Sequence, residues 1–69
     1  MKQVELRQVA KGQIVEFVSM VLDETCWERK PAVVHAKVVK QKKAVTEVIY
    51  LRDGFVMLCD PDELVTVIL

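Results

Sequence analysis

Few side chains in this chain are suited to covalent or metal chemistry. Cys26, His35 and Cys59 are the soft ligands and nucleophiles, and Asp60, Asp62 and Glu63 form an acidic trio. A structural zinc site needs four ligands and usually a close pair of cysteines. Cys26 and Cys59 stand far apart and no fourth ligand accompanies them, so neither a metal nor another cofactor is expected. A Cys–His nucleophilic pair would have to join His35 to Cys59. The strand register derived below puts both on one outer face but offset along their strands, with no third group and no oxyanion donor. The acidic trio reads more simply as cap and first-turn charge at a helical turn. No enzymatic activity is expected.

Binding chemistry has more to work with. Trp27 is the sole tryptophan and sits in the most polar stretch, Glu24 to Lys30. An exposed tryptophan is a typical interface anchor; the competing reading is a lid that folds back and satisfies its indole N–H locally. Lys37, Lys40, Lys42 and Lys43 concentrate on one hairpin. They would grip phosphates if Tyr50 and Phe55 stacked bases beside them. Otherwise they keep an exposed turn soluble and discourage edge pairing.

The elements that must position these residues are strands. Valine dominates the sequence, with isoleucine and threonine beside it, and β-branched side chains favour the extended backbone. The pattern predicts strands at Val4–Val9, Gln13–Val21, Ala32–Lys40, Val45–Arg52, Phe55–Cys59 and Val65–Leu69. A turn at Ala10-Lys11-Gly12 closes the first, and one long loop, Leu22 to Pro31, separates the second from the third. Asp60-Pro61-Asp62-Glu63-Leu64 reads as a single helical turn, with Asp60 as cap and Pro61 at its first position. The N-terminal Met1-Lys2-Gln3-Val4-Glu5 already alternates like a strand.

Asp53-Gly54, between two alternating apolar runs, is a strong hairpin signal. As a two-residue turn it pairs Leu51 with Val56 and Ile49 with Leu58, so these four share one face with Val34, Ala36 and Val38. That aliphatic set is the expected core. The outer face then carries Val33 and His35, Tyr50 and Arg52, Phe55, Met57 and Cys59, too apolar for a solvated sheet face. Strand Gln13–Val21 is apolar on both sides, as for a strand buried on both faces.

Strand, long loop, three-strand meander, helical turn and short last strand together resemble the Src-homology-3-like small barrel shared by Tudor and KOW modules. The residues that carry the likeness are Ala10-Lys11-Gly12-Gln13-Ile14-Val15, the Leu51-x-Asp53-Gly54 hairpin and Pro61-x-x-Leu64-x-x-Val67. The resemblance covers nearly the whole chain and implies an all-β fold: a small five- to six-stranded antiparallel barrel with one helical turn at Pro61–Leu64. It implies no particular ligand, because this scaffold carries peptide binders, RNA binders and a few enzymes.

Composition bounds the function. At 69 residues the chain is read as one domain spanning 1–69, and so short a domain buries only ~60% of its unfolded surface. Yet it is 52% hydrophobic with a mean hydropathy of +0.24, which points to a face covered by another chain. Ten acidic residues balance ten basic ones, an argument against a dedicated duplex binder. No run approaches the ~18–20 apolar residues of a membrane span, and no basic-then-apolar signal segment is expected. A cytoplasmic setting with both cysteines reduced is expected. The expected function is a non-catalytic, regulatory interaction module that forms a homodimer or docks on a larger protein through Trp27, Val33, His35, Tyr50, Arg52, Phe55 and Met57. The alternative is a barrel that binds RNA or single-stranded DNA through Lys37, Lys40, Lys42 and Lys43.

Overall fold

The computed structural model describes residues 3–68; Met1, Lys2 and Leu69, which the alternation assigned to the terminal strands, lie outside them. The β-branched bias produces six strands: β1 (Gln3–Glu5), β2 (Ile14–Asp23), β3 (Glu28–Gln41), β4 (Thr46–Tyr50), β5 (Val56–Cys59) and β6 (Leu64–Ile68). They form one antiparallel sheet in the order β1-β6-β2-β3-β4-β5. The sheet curls into a half-barrel with β1 and β5 at its edges. The fold is all-β, as the sequence predicts.

The core fills the inner face. Leu6, Val9, Val15, Val34, Ala36, Val38, Val48 and Val65 are almost fully buried, with Phe17 and Cys59 beside them. Each fully buried valine contributes roughly 1.5–3 kcal/mol of transfer free energy, so valines supply most of what this small domain has. Among the described residues, Thr46 is the one buried polar residue.

The first predicted strand breaks at Leu6. Residues Leu6–Gln8 form a 3-10 turn, whose N–H groups at Leu6 and Arg7 donate to the carbonyls of Glu63 and Pro61 at 2.8 and 2.9 Å. This geometry drops Leu6 and Val9 into the open end of the curl, which straight alternation would not do. The Gln41 side-chain amide donates to the carbonyls of Leu6 and Val9 and ties the turn to the end of β3. Before β6 the predicted helical turn is a single hydrogen-bonded turn: the Glu63 N–H donates to the Asp60 carbonyl at 3.0 Å, and Asp60 Oδ1 accepts the Asp62 N–H at 2.8 Å. Gly12, at φ +94°, completes the Ala10-Lys11-Gly12 turn in a conformation only glycine adopts freely.

Two features depart from the sequence reading, and the second reassigns the faces. First, Asp53-Gly54 is not a two-residue turn. Tyr50 and Phe55 close a four-residue loop, Leu51–Gly54, in which the Gly54 N–H donates to the Tyr50 carbonyl at 2.8 Å. Gly54 alone in it has positive φ, and the Asp53 carboxylate accepts the Phe55 N–H at 3.1 Å. The β4–β5 register therefore slips by an even step, Ile49 facing Val56, and β4 and β5 keep their shared face. Second, β3 carries a bulge between Val38 and Lys40. Val38 faces Val48 and Ala36 faces Tyr50, whereas beyond the bulge Lys40 faces Glu47. One extra residue inverts every side chain that follows. Thr46, Val48, Tyr50, Met57 and Cys59 thus turn inward, and Ile49, Val56 and Leu58 turn outward. The expected core positions Ile49, Leu51, Val56 and Leu58 are corrected accordingly; Val34, Ala36 and Val38 stand.

Candidate interaction surface

The long loop expected from Leu22 to Pro31 is instead the end of a β-hairpin arm. β2 and β3 stay paired without interruption from Ile14–Lys37 to Asp23–Glu28. β6 covers the other edge of β2 only at Ile14 to Glu16, and β4 joins β3 only from Ala36 onward. Residues 18–23 and 28–33 therefore project as a two-stranded ribbon, and the molecule measures 36 × 25 × 19 Å.

The arm is pinned at its tip by Asp23. Its carboxylate accepts the Thr25 hydroxyl at 2.6 Å and the Thr25 N–H at 3.0 Å, and Lys30 Nζ lies 3.0 Å away. The Thr25 hydroxyl, then Lys30, hold the carboxyl well below the usual range. The loop Glu24–Trp27 repeats the geometry of Leu51–Gly54, with the Trp27 N–H donating to the Asp23 carbonyl at 2.7 Å. Where the second loop has Gly54 in the left-handed region, this one has Trp27, at φ 58°. A bulky residue there is strained. Its indole is 78% exposed, so Trp27 presents itself to solvent and does not fold back as a lid.

Side chains of the arm divide by alternation. Val18, Met20 and Leu22 on β2 share the outer face with Val33, Pro31 and Arg29 opposite them on β3. Val18 is 62% exposed, Met20 52% and Val33 57%. The expectation that this strand is buried on both faces is therefore corrected: nothing among the described residues covers its outer side. Farther along the same face, Val56 and Leu58 are exposed on β5, and His35 Nε2 sits 3.3 Å from the Glu16 carboxylate.

The predicted partner residues divide over two concavities: Val33, His35, Tyr50 and Arg52 line one of about 540 Å³, and Tyr50, Arg52, Phe55 and Met57 line a second. Val33 and His35 lie on the outer face. Tyr50 and Met57 lie on the inner face, half-buried against the core, so their assignment to the outside is corrected. The cause is the bulge in β3. They floor an open groove of about 910 Å³ between the arm and the β4–β5 loop, with Arg52 and Phe55 at its rim. Trp27 stands apart at the arm tip. Val18, Met20 and Leu22, exposed on the outer face, were not among the predicted partner residues, although a strand apolar on both sides was the signal for them.

The lysines are less available than their clustering suggests. Lys42 Nζ lies 3.1 Å from the Glu47 carboxylate, and Lys40 faces the same Glu47 across the ladder. Lys37 points from the outer face, and Lys43 is exposed beside the tip. Cys59 and His35 do not meet, because Cys59 is buried on the inner face and His35 is exposed on the outer one; the expected shared face is corrected. Burial, with the Glu63 carboxylate adding, pushes the Cys59 thiol up to about 11. Cys26 is exposed in the arm loop. Among the described residues no group of three or more His, Cys, Asp or Glu is placed to hold a metal ion. The acidic trio is structural: Asp60 caps its turn, Asp62 pairs with Arg7, and Glu63 offers its carbonyl to Leu6. Burial, then the nearby Asp60 charge, raises the Glu63 pKa.

Fold and surface together define a small curled antiparallel sheet with a projecting, outwardly apolar hairpin, a topology compatible with the Src-homology-3-like arrangement. No family model, curated protein or solved structure matches the chain. Among the described residues no helix is long and apolar enough to cross a membrane.

Proposed function

We propose that this chain is a non-catalytic interaction module of the Src-homology-3-like barrel type that self-associates through its projecting β2–β3 arm. The observation that carries this reading is the exposure of Val18, Met20, Leu22 and Val33 as neighbours on one side of a two-stranded arm. A two-stranded ribbon is at best marginally stable alone in water, and contiguous exposed apolar surface marks an association site. A zero net charge leaves no long-range repulsion between copies. Of the residues expected for the interface, Val33 lies in this patch, Trp27 stands apart at the arm tip, and Tyr50 and Met57 pack against the core.

Light scattering across a concentration series tests the reading. A dimer mass is expected for the native protein. Val18→Glu combined with Val33→Glu shifts it to monomer while the circular dichroism spectrum is unchanged. A monomer mass for the native protein at every concentration overturns the proposal.

A further inference from the structure

Backbone directions, not only side chains, single out one edge of the arm. The Gln13 carbonyl accepts the Val38 N–H at 2.9 Å, so Gln13 directs its backbone groups at β3. In an antiparallel pair this direction alternates. Val15, Phe17, Ser19 and Val21 therefore bond to β3, and Ile14, Glu16, Val18, Met20 and Leu22 face the opposite way. β6 satisfies Ile14 and Glu16. Among the described residues, Val18, Met20 and Leu22 have no ladder partner for either N–H or C=O.

The opposite edge of the same arm is differently made. There Arg29, Pro31 and Val33 direct their backbone groups outward, as the His35 carbonyl, which accepts the Leu51 N–H at 3.0 Å, confirms by alternation. Pro31 has no N–H to offer and stands opposite Met20. Arg29 places a charge on the edge, with Glu28 and Lys30 beside it. Proline and charge are the devices that blunt a sheet edge. The β2 edge, Phe17-Val18-Ser19-Met20-Val21-Leu22, has neither proline, glycine nor charge.

We infer that the β2 edge is the seam of a two-fold dimer, in which Val18–Leu22 of two copies pair antiparallel about an axis through Met20. The inference rests on the self-association proposed above and specifies its geometry. An isologous contact requires a surface complementary to itself, and this segment is uncharged and centred on a residue that can face its own copy. In that register Val18 faces Leu22 of the second copy and Met20 faces Met20. All three are residues with outward backbone groups, so six interchain hydrogen bonds form. The exposed outer side chains line up as Val33, Val18, then Leu22 of the second copy. Because the β3 edge is closed by Pro31 and Arg29, the arm pairs once and does not propagate.

The test is Met20→Pro, which removes an outward N–H that the β2–β3 ladder does not use. It is expected to raise the dimer dissociation constant on the order of 30-fold, the loss of two interchain hydrogen bonds. The circular dichroism spectrum should be unchanged, and Leu58→Pro on the β5 edge should leave the dimer intact. An unchanged dimer dissociation constant in Met20→Pro, or a raised one in Leu58→Pro, overturns this seam and leaves self-association standing. A native protein that is monomeric throughout overturns both. Should Met20→Pro unfold, amide exchange on the native dimer decides. Slow exchange at Val18, Met20 and Leu22 that quickens on dilution supports the seam; fast exchange at dimer concentrations overturns it.

Discussion

At the scale of single residues the inner face is decided by two polar atoms. The Thr46 hydroxyl is fully buried with no hydrogen-bond partner, and an unsatisfied buried hydroxyl costs about 1–3 kcal/mol. Thr46→Val keeps the shape and removes the hydroxyl, so a gain of about 1 kcal/mol is expected, read as a higher urea midpoint at unchanged slope; a lower midpoint would show that the hydroxyl is satisfied. Cys59 carries the second. Its thiol is raised from 9.0 to about 11 by burial, so the unfolded chain loses this proton first as pH climbs. Stability is therefore undiminished by this group below pH 9 and falls between 9 and about 11. The decline should be shallower in Cys59→Ala, each protein measured against its own value at pH 8. At neutral pH an alkylating reagent should modify Cys26 faster than Cys59 by on the order of 100-fold or more, because Cys59 reacts only through opening. Equal rates would place Cys59 at the surface.

Elements show where alternation stops informing. Both sides of the β4–β5 hairpin are apolar: Val48, Tyr50 and Met57 on one, Ile49, Val56 and Leu58 on the other. Either side would make a core, so composition could not choose, and the choice fell to a bulge at Val39 that leaves no mark on the residue pattern. β3 was legible because only one of its faces, Val34, Ala36 and Val38, is uninterrupted. The arm was read as a loop because Asp23 to Lys30 is polar, although its polarity belongs to the last pairs and the tip of a ribbon. Its four-residue loop also hid its signal, since the left-handed position held by Gly54 in one hairpin is held by Trp27 in the other. Trp27→Gly relieves that strain and should raise stability by about 0.5–1 kcal/mol in the monomer. The same change should weaken the dimer if the indole is an anchor, so melting of a monomeric background such as Val18→Glu/Val33→Glu separates the two effects. A loss of stability in that background would mean the indole packs on the arm.

For the whole molecule, the proposed self-association through the arm would couple folding to association. Little of residues 18–23 and 28–33 is buried within the chain, so the order of this ribbon is thermodynamically linked to whatever covers it. When a dimer unfolds to two separate chains, the melting temperature depends on protein concentration. A tenfold dilution costs about 1.4 kcal/mol, and with the entropy of unfolding typical for two chains of this size it lowers the melting temperature by about 5 °C. That slope is expected here, and its absence would mean that the arm is ordered without a partner. Ionic strength separates this reading from the lysine-mediated alternative. A seam of uncharged residues is not screened by salt, so the concentration slope should persist when salt rises tenfold. Binding through Lys37, Lys40, Lys42 and Lys43 to a single-stranded nucleic acid would weaken steeply over the same range. With Lys42 of the hairpin paired to Glu47 and no net basic charge on the chain, the expected outcome is a salt-insensitive melt and no salt-dependent RNA complex.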